Sequence, residues 1–330
     1  MLSETEFTVK GHGVHTAYVE LSAALKRRDD VDLSVNDDRE VDVTHIQTIG
    51  LYSFKRLLFS KGKKVVSAHL VPDSFVGSIL WAEYWKPLGR VWLKLFYGKA
   101  DIVLACSKMV QTELQNDMGL KNVELLYNTI DMSRYARTDE DKAAARKVLK
   151  IPSDKIVVVG NGQIQPRKRF DVFMQMAKAL PDIHFVWIGG IPFKRLGADY
   201  AGMKAMIDST PPNLFVTDVI PLEEVRKYFH AADIFVLPAE QENHPLCVLE
   251  AAGTGLPIVL RNIPQYNDTF ADAALLADSD EDFVRIVREL AGSDKKRMNA
   301  AKKSEIIRDR FDSREGARKA VEFYKMSLNQ

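Results

Sequence analysis

Cysteine is scarce: the 330 residues hold only Cys106 and Cys247, far apart and inside apolar, strand-like runs. Two such residues make neither a disulfide framework nor a cysteine metal site, and they fit reduced, buried thiols in a cytosolic protein. Long hydrophobic runs are missing as well, since no window approaches the roughly 18 consecutive apolar residues that a membrane-spanning helix needs. The amino terminus, MLSETEFTVKGHGVHT, has no basic start and no apolar core, so it does not read as a signal peptide. Charge of one sign is absent too. With 46 Lys+Arg against 45 Asp+Glu the net charge is +1, and binding to bulk nucleic acid finds no support. No repeat of fixed period and no low-complexity tract interrupts the chain.

What is present is core material, 46% hydrophobic residues with 28% charged ones, in a chain long enough for two domains. Short apolar runs alternate with helical patterns almost throughout. VDVTHIQT, KKVVSAHL, ADIVLACS and VELLYN read as strands in the first half. KIVVVGNG, IHFVWIGG, NLFVTDVI, ADIFVLPA, LPIVL and ALLA repeat the pattern in the second. Between them lie helical segments such as KMVQTELQNDMG, with Ser107 as N-cap and Gly119 at its end, FDVFMQMAKAL and LEEVRKYFHAA. Such alternation predicts an α/β protein with parallel, doubly wound sheets covered by helices on both faces. The polar stretch 131–154 is read as the hinge. The expected division is residues 1–135, residues 136–312, and a last helix, 313–330, crossing back to the first domain. The first strand is short: only ML precedes SETEFTVKGHG, so it is truncated, or partly supplied by FTV, or begins upstream.

Ligands of doubly wound sheets bind beyond the carboxyl ends of the strands, so the turns at those ends are where binding residues are sought. After KIVVVGNG comes QIQPRKRF. Gly160 and Gly162 free the backbone there, and Arg167, Lys168 and Arg169 add charge that suits a diphosphate as well as it suits a solvated turn. A dinucleotide fingerprint would need a third glycine, but Gln165 stands in its place. An acidic residue is also expected about 20 positions on, where Phe185, Trp187 and Ile188 fill a strand; this argues against a Rossmann-type oxidoreductase. His69 stands at the end of another strand. Gly11 and Gly13 bracket His12 before a helical run, whose first amides suit an anion or a sugar hydroxyl.

The stretch ENHPLCVLEAAGTGLPIVL holds Glu242 and Glu250 eight positions apart, with Asn243, His244 and Pro245 between the first acid and an apolar run. Either a helix carries one solvated and one half-buried carboxylate, or both acids point into a cleft. With ADIFVLPA as a strand, Glu242 falls in the loop at its end and Glu250 on the following helix, with the amides of Leu246 and Cys247 at the helix start. A loop carboxylate for sugar hydroxyls, amides for phosphates and a helix carboxylate for a ribose match a nucleotide sugar end to end.

E-x7-E followed by AAGTGLPIV, PRK after a glycine turn, and ADIVLACS in the first half together resemble the family-4 retaining glycosyltransferases of GT-B fold, two Rossmann-like domains facing a central cleft. The likeness covers nearly the whole chain. It implies that Glu242 contacts the donor sugar, Glu250 the ribose and Lys168 the diphosphate, with His69 and the Gly11–Gly13 loop near the transferred sugar and the acceptor. It also implies retention of anomeric configuration without a metal or other cofactor. Two departures stand out: Gln163 replaces the family's arginine after the turn glycine, and Asn243-His244-Pro245 replaces a glycine–phenylalanine–glycine loop. The D-x-D triplets at 30–32, 278–280 and 280–282 are read as solvated charged turns or helices rather than as metal ligands following an apolar strand.

Residues 55–99 carry nine basic side chains against Asp73 and Glu83, a local net charge of +7. Within them WAEYWKPLGRVWLKLFY concentrates Trp81, Trp85 and Trp92 of the four tryptophans. Pro87 suits a helix first turn, after which Leu88, Trp92, Leu95 and Phe96 form one stripe and Lys86, Arg90 and Lys94 another. Cationic and aromatic faces on one helix suit an anionic membrane surface, and a packed amphipathic helix with solvated lysines is the plainer reading. This region and VLRNIPQY resemble bacterial enzymes that glycosylate diacylglycerol or monoglycosyl-diacylglycerol. The expectation is a UDP-hexose-dependent α-glycosyltransferase acting on a membrane glycolipid, cytoplasmic and peripheral on the cytoplasmic face. A soluble or polysaccharide acceptor is the alternative.

Overall fold

The computed structural model describes residues 1–6, 13–72, 82–191 and 199–330. These form two units: one runs from Met1 to Asp131 and takes in Phe311–Gln330, and the other spans Met132–Arg310.

In the first unit the β-branched runs become four parallel strands, β1 (Val43–Ile46), β2 (Lys63–Ala68), β3 (Ile102–Ala105) and β4 (Val123–Leu125), ordered β1-β2-β3-β4. Successive side chains of a strand point to opposite faces, and here both faces are dry. Val65, Ile102 and Leu104 join one core, with Tyr18, Leu21 and Leu25 of α1 (Gly13–Lys26). Val66, Val103 and Ala105 join the other, with Leu57 of α2 (Leu51–Phe59), Leu93 and Phe96 of α3 (Ala82–Tyr97) and Val110 of α4 (Lys108–Thr112). Ser107 caps α4 as its sequence position predicts, accepting from the Val110 amide. A π-helical turn, Glu113–Asp117, continues α4 toward Gly119, whose φ of +69° suits a residue without a Cβ. Leu2 bridges to Ile46 in parallel, and Met1 O accepts from the Asn36 amide, so ML acts as a short strand beside β1. The FTV stretch lies outside the described residues.

Helix α3 departs from expectation. It begins at Ala82, so Pro87 sits inside it rather than in its first turn and forgoes one i→i−4 hydrogen bond. Its sheet-facing side is Leu93, Phe96 and Tyr97, with Trp92 half-buried against Phe54 at 4.9 Å and donating through Nε1 to Ile49 O at 3.0 Å. The expected stripe therefore splits, because a helix packed on a sheet buries positions three and four apart on one side. Phe96 and Trp92 turn inward, whereas Leu88 and Leu95 remain exposed beside Tyr84, Trp85 and Val91.

The second unit contains β5 (Val157–Asn161), β6 (His184–Ile188), β7 (Leu214–Val216), β8 (Ile234–Leu237), β9 (Ile258–Arg261) and β10 (Leu275–Ala277), all parallel and ordered β10-β9-β8-β5-β6-β7. The chain lays down β5, β6 and β7 in one direction, then returns past β5 to build β8, β9 and β10 in the other. The switch point falls between β5 and β8, and there the loops after two adjacent strands diverge and leave a crevice. The stretch read as a hinge is largely helical: α5 (Asp139–Leu149) starts with a Thr138–Asp141 capping box, and Arg146 forms a buried 2.6 Å ion pair with Asp233 at the start of β8. The remaining helices are α6 (Phe170–Ala179), α7 (Tyr200–Asp208), α8 (Leu222–Ala231), α9 (Leu246–Gly253), α10 (Asp280–Ala291) and α11 (Asp294–Arg310). The last, α12 (Ser313–Leu328), packs Ala317, Ala320 and Val321 into the α1 side of the first unit's core. Among the described residues no helix is long and apolar enough to cross a membrane.

Candidate functional site

Each chemical group near the switch point is delivered by a strand end. β5 runs into Gly162, and the loop is pinned by Gly162 N to Ile188 O at 2.9 Å, Ile164 N to Gly190 O at 2.9 Å, and Trp187 Nε1 to Gly162 O at 2.9 Å. A Cβ on Gly162 would lie 3.3 Å from Lys168 Cε, and its φ of +156° is one that side chains rarely adopt. The bare glycine lets the lysine stem lie across the turn. A 3-10 turn, Pro166–Lys168, then lifts Lys168 into the crevice, where it is buried.

From the adjacent strand, β8 leads into the loop that carries Glu242, and α9 begins four residues later. Lys168 Nζ donates to Glu242 Oε1 in a close, buried ion pair, and Arg167 Nη1 stands 3.6 Å from the same oxygen while donating to Gln241 O at 2.9 Å. Residues 74 positions apart thus meet because β5 and β8 are neighbours. Arg169, the third member of the basic trio, goes elsewhere: it pairs with Asp171, Glu240 and Asp280 and ties its turn to the start of α10.

Glu250 lies inside α9, 3% exposed, and Glu242 is 6% exposed, so neither acid is solvated. Tyr135 Oη donates to Glu250 Oε1 at 3.0 Å and Asn161 Nδ2 to Oε2 at 3.2 Å. These two partners were missed from sequence. Asn161, between two glycines at a strand end, had a readable signal; Tyr135, in the stretch taken for a hinge, had none. His244 is buried with its ring 5.1 Å from Phe270, and burial pushes its pKa down to about 3, so it is neutral and adds no charge for an anion. Asn243 is half-buried in the same loop.

Leu246 and Cys247 occupy the first turn of α9. Cys247 is therefore helical rather than in a strand, because Pro245 fixes the helix entry; Cys106 directly follows β3. Both cysteines are free, and burial pushes each thiol up to about 12. The D-x-D reading needs correction at its second site. Asp278 directly follows β10, and Asp280 is half-buried and binds Arg261 at 2.6 Å and Arg169 at 2.7 Å. The three-residue strand is too short to have advertised that position.

In the first unit, Gly13 opens α1 and is exposed, while Gly11 lies outside the described residues. His69 follows β2, half-buried, with Nε2 3.1 Å from Gln47 Oε1. Of the α3 residues, Trp85, Arg90 and Lys94 are exposed and Lys86 is half-buried. Arg90 is also tied to Asp117 O, and Trp92 belongs to the packed face rather than to a free surface. Trp81 lies outside the described residues.

The two units match known proteins separately. Residues 141–306 match the family model for glycosyl transferases group 1, and residues 20–134 match that for Glycosyltransferase Family 4. The alpha-galactosylglucosyldiacylglycerol synthase of Streptococcus pneumoniae is 30% identical over 272 residues, covering 81% of this chain and 72% of that protein. The processive diacylglycerol alpha-glucosyltransferase of Acholeplasma laidlawii is 22% identical over 301 residues, covering 90% and 89%. Among solved structures, Anabaena HepE in complex with UDP and glucose superposes with a TM-score of 0.77 at 14% identity, covering 98% of each chain. Two parallel sheets covered by helices, a Family 4 match on the first and a group 1 match on the second identify this chain as a glycosyltransferase of GT-B fold belonging to those families.

Proposed function

We propose that this glycosyltransferase moves a hexose, glucose or galactose, from a UDP-sugar to diacylglycerol or a membrane glycolipid, forming an α-linkage with retention and without a metal. The observation that carries the reading is the paired set at the β5–β8 switch point, Lys168 on Glu242 with Glu250 held between Tyr135 and Asn161. Glu250 accepts the ribose hydroxyls. The amides of Leu246 and Cys247, at the positive end of α9, meet the diphosphate together with Lys168 and Arg167. Glu242 accepts hydroxyls of the hexose.

In the pair as it stands, each charge satisfies the other. On donor binding the diphosphate takes the ammonium and the hexose hydroxyls take the carboxylate, so neither buried charge is stranded. Transfer then breaks the bond from the anomeric carbon to the diphosphate oxygen and forms one from the acceptor oxygen on the same face. The acceptor proton passes to the leaving phosphate oxygen. Lys168, Arg167 and the α9 amides stabilise the charge that develops there.

The names of the two diacylglycerol-acting relatives favour a lipid acceptor. So does the outward face of α3, where Tyr84, Trp85, Leu88, Val91 and Leu95 are exposed among Arg90 and Lys94. Apolar side chains that enter the acyl boundary, next to cations for acidic headgroups, suit an anionic bilayer surface.

A screen of UDP-, GDP- and ADP-sugars against lipid extracts, read by mass spectrometry, tests the proposal. A hexose added to lipid from a UDP donor is expected. Lys168→Ala and Glu242→Ala should each lower transfer by about 100-fold or more with the circular dichroism unchanged. Full turnover by either variant, or transfer confined to soluble acceptors, would overturn the reading.

A further inference from the structure

The two loops that bring Lys168 to Glu242 are clasped to one another. The Glu240 amide donates to Arg167 O at 3.0 Å, Arg167 Nη1 donates to Gln241 O, and Arg169 pairs with Glu240. Of the other two carboxylates on Arg169, Asp171 belongs to the helix that its own turn enters. Asp280 comes from a third element.

Asp280 is the first residue of α10, a helix held in the core by Phe283, Ile286, Val287 and Leu290. Its two oxygens take different partners: Oδ2 accepts from Arg169 Nη2 at 2.7 Å and Oδ1 from Arg261 Nη2 at 2.6 Å. Arg261 in turn donates through Nε to Pro238 O at 2.8 Å, where the Glu242 loop leaves β8, and its guanidinium carbon lies 5.2 Å from the centre of the Phe283 ring. One carboxylate thus reaches the residue after Lys168 directly and the start of the Glu242 loop through Arg261. Burial would raise the Asp280 pKa, but the bonds and charges of Arg261 and Arg169 outweigh it and hold the carboxyl below its usual value, so it is ionised.

Arg169 ends the 3-10 turn of Lys168 and caps α6 with a φ of +52° and a ψ of +50°. A residue with a long side chain keeps this left-handed conformation only where its surroundings hold it. Relaxation to negative φ would redirect the turn and carry Lys168 away from Glu242.

We propose that Asp280 is a positioning residue for donor binding: through Arg169 and Arg261 it holds the Lys168 turn and the Glu242 loop at the separation that grips a diphosphate and its sugar. This rests on the donor-site roles proposed for Lys168 and Glu242. A carboxylate that only stitched α10 to its sheet would change the melting temperature and leave diphosphate binding alone.

The test is titration of the whole protein with UDP by calorimetry and with uridine by NMR. In Asp280→Asn, which keeps the shape and removes the charge, UDP should bind about 10-fold more weakly. Uridine, which offers its ribose to Glu250 but carries no phosphate, should bind as it does to the unmodified protein. Adding Asp280→Asn to Lys168→Ala should cost little further UDP affinity, because the carboxylate acts through the lysine turn. Unchanged UDP affinity in Asp280→Asn, an equal loss for uridine, or full additivity in the double variant would overturn the proposal. If Asp280→Asn melts below the assay temperature, Arg169→Gly cuts the same link at a backbone conformation that glycine adopts freely, and the same selective loss is expected. No UDP binding by the unmodified protein would remove the donor-site reading itself and this proposal with it.

Discussion

Single residues decide whether the switch-point site can exist at all. Gly162 is the clearest case: its missing Cβ makes room for the Lys168 stem, and Lys168 is the cation nearest Glu242. Gly162→Ala is expected to destabilise the protein by about 1 kcal/mol through its backbone conformation. It should also lower kcat/KM at least about 10-fold by displacing Lys168; thermal melts and steady-state kinetics check the two effects separately. The glycine, the lysine and both glutamates were legible in the sequence by type and spacing. That Lys168 and Glu242 would pair directly was not, since their contact depends on which strands are neighbours. The same holds for the Tyr135–Glu250 bond, which joins residues 115 positions apart.

At the scale of elements, helices are attached to sheets by specific contacts whose loss has predictable size. Asp233 at the start of β8 binds Arg146 and Lys142 of α5 and accepts from the Val157 amide of β5 at 2.7 Å. Asp233→Ala would leave a buried guanidinium without its carboxylate and is expected to cost about 3–5 kcal/mol in urea unfolding. Helix α3 makes the opposite case, with exposed residues that contribute little to the fold. Reversing Lys86, Arg90 and Lys94 to glutamate should weaken sedimentation with anionic vesicles, each charge contributing about 1 kcal/mol of attraction in the unmodified protein. Leu88→Asp combined with Val91→Asp should do the same without touching a cation, and unchanged sedimentation in both variants would refute a bilayer role. The sequence showed that α3 is amphipathic and basic. Which apolar residues turn outward depended on where the helix starts and which side meets the sheet, so the single stripe of Leu88, Trp92, Leu95 and Phe96 divides between a packed side and an exposed one.

Across the whole molecule, histidine burial sets the acid limit. His45 in the first unit and His244 in the second are both held neutral with pKa about 3, and burial also lowers His184 and His230. A histidine whose pKa is lower in the fold than in the unfolded chain contributes stability above its unfolded value, and that contribution is lost as pH falls toward the folded value. Between about pH 6.5 and 5, where carboxylates are still ionised, unfolding free energy should drop by about 1 kcal/mol per pH unit for each of His45 and His244. Urea titrations at about pH 7, 6 and 5 check this, and His244→Asn should remove its share of the slope.

The sequence by itself determined the alternation of strands and helices, the parallel α/β class, and the kinds of chemical group at each strand end, because periodicity, capping and turn chemistry are local. The tertiary structure alone decided strand order, and with it the meeting of the β5 and β8 loops, the partners of Glu250, and the tie of Arg169 to Asp280. Each of these joins residues distant in sequence, and their proximity comes from packing two apolar faces against one sheet rather than from any local preference of the chain.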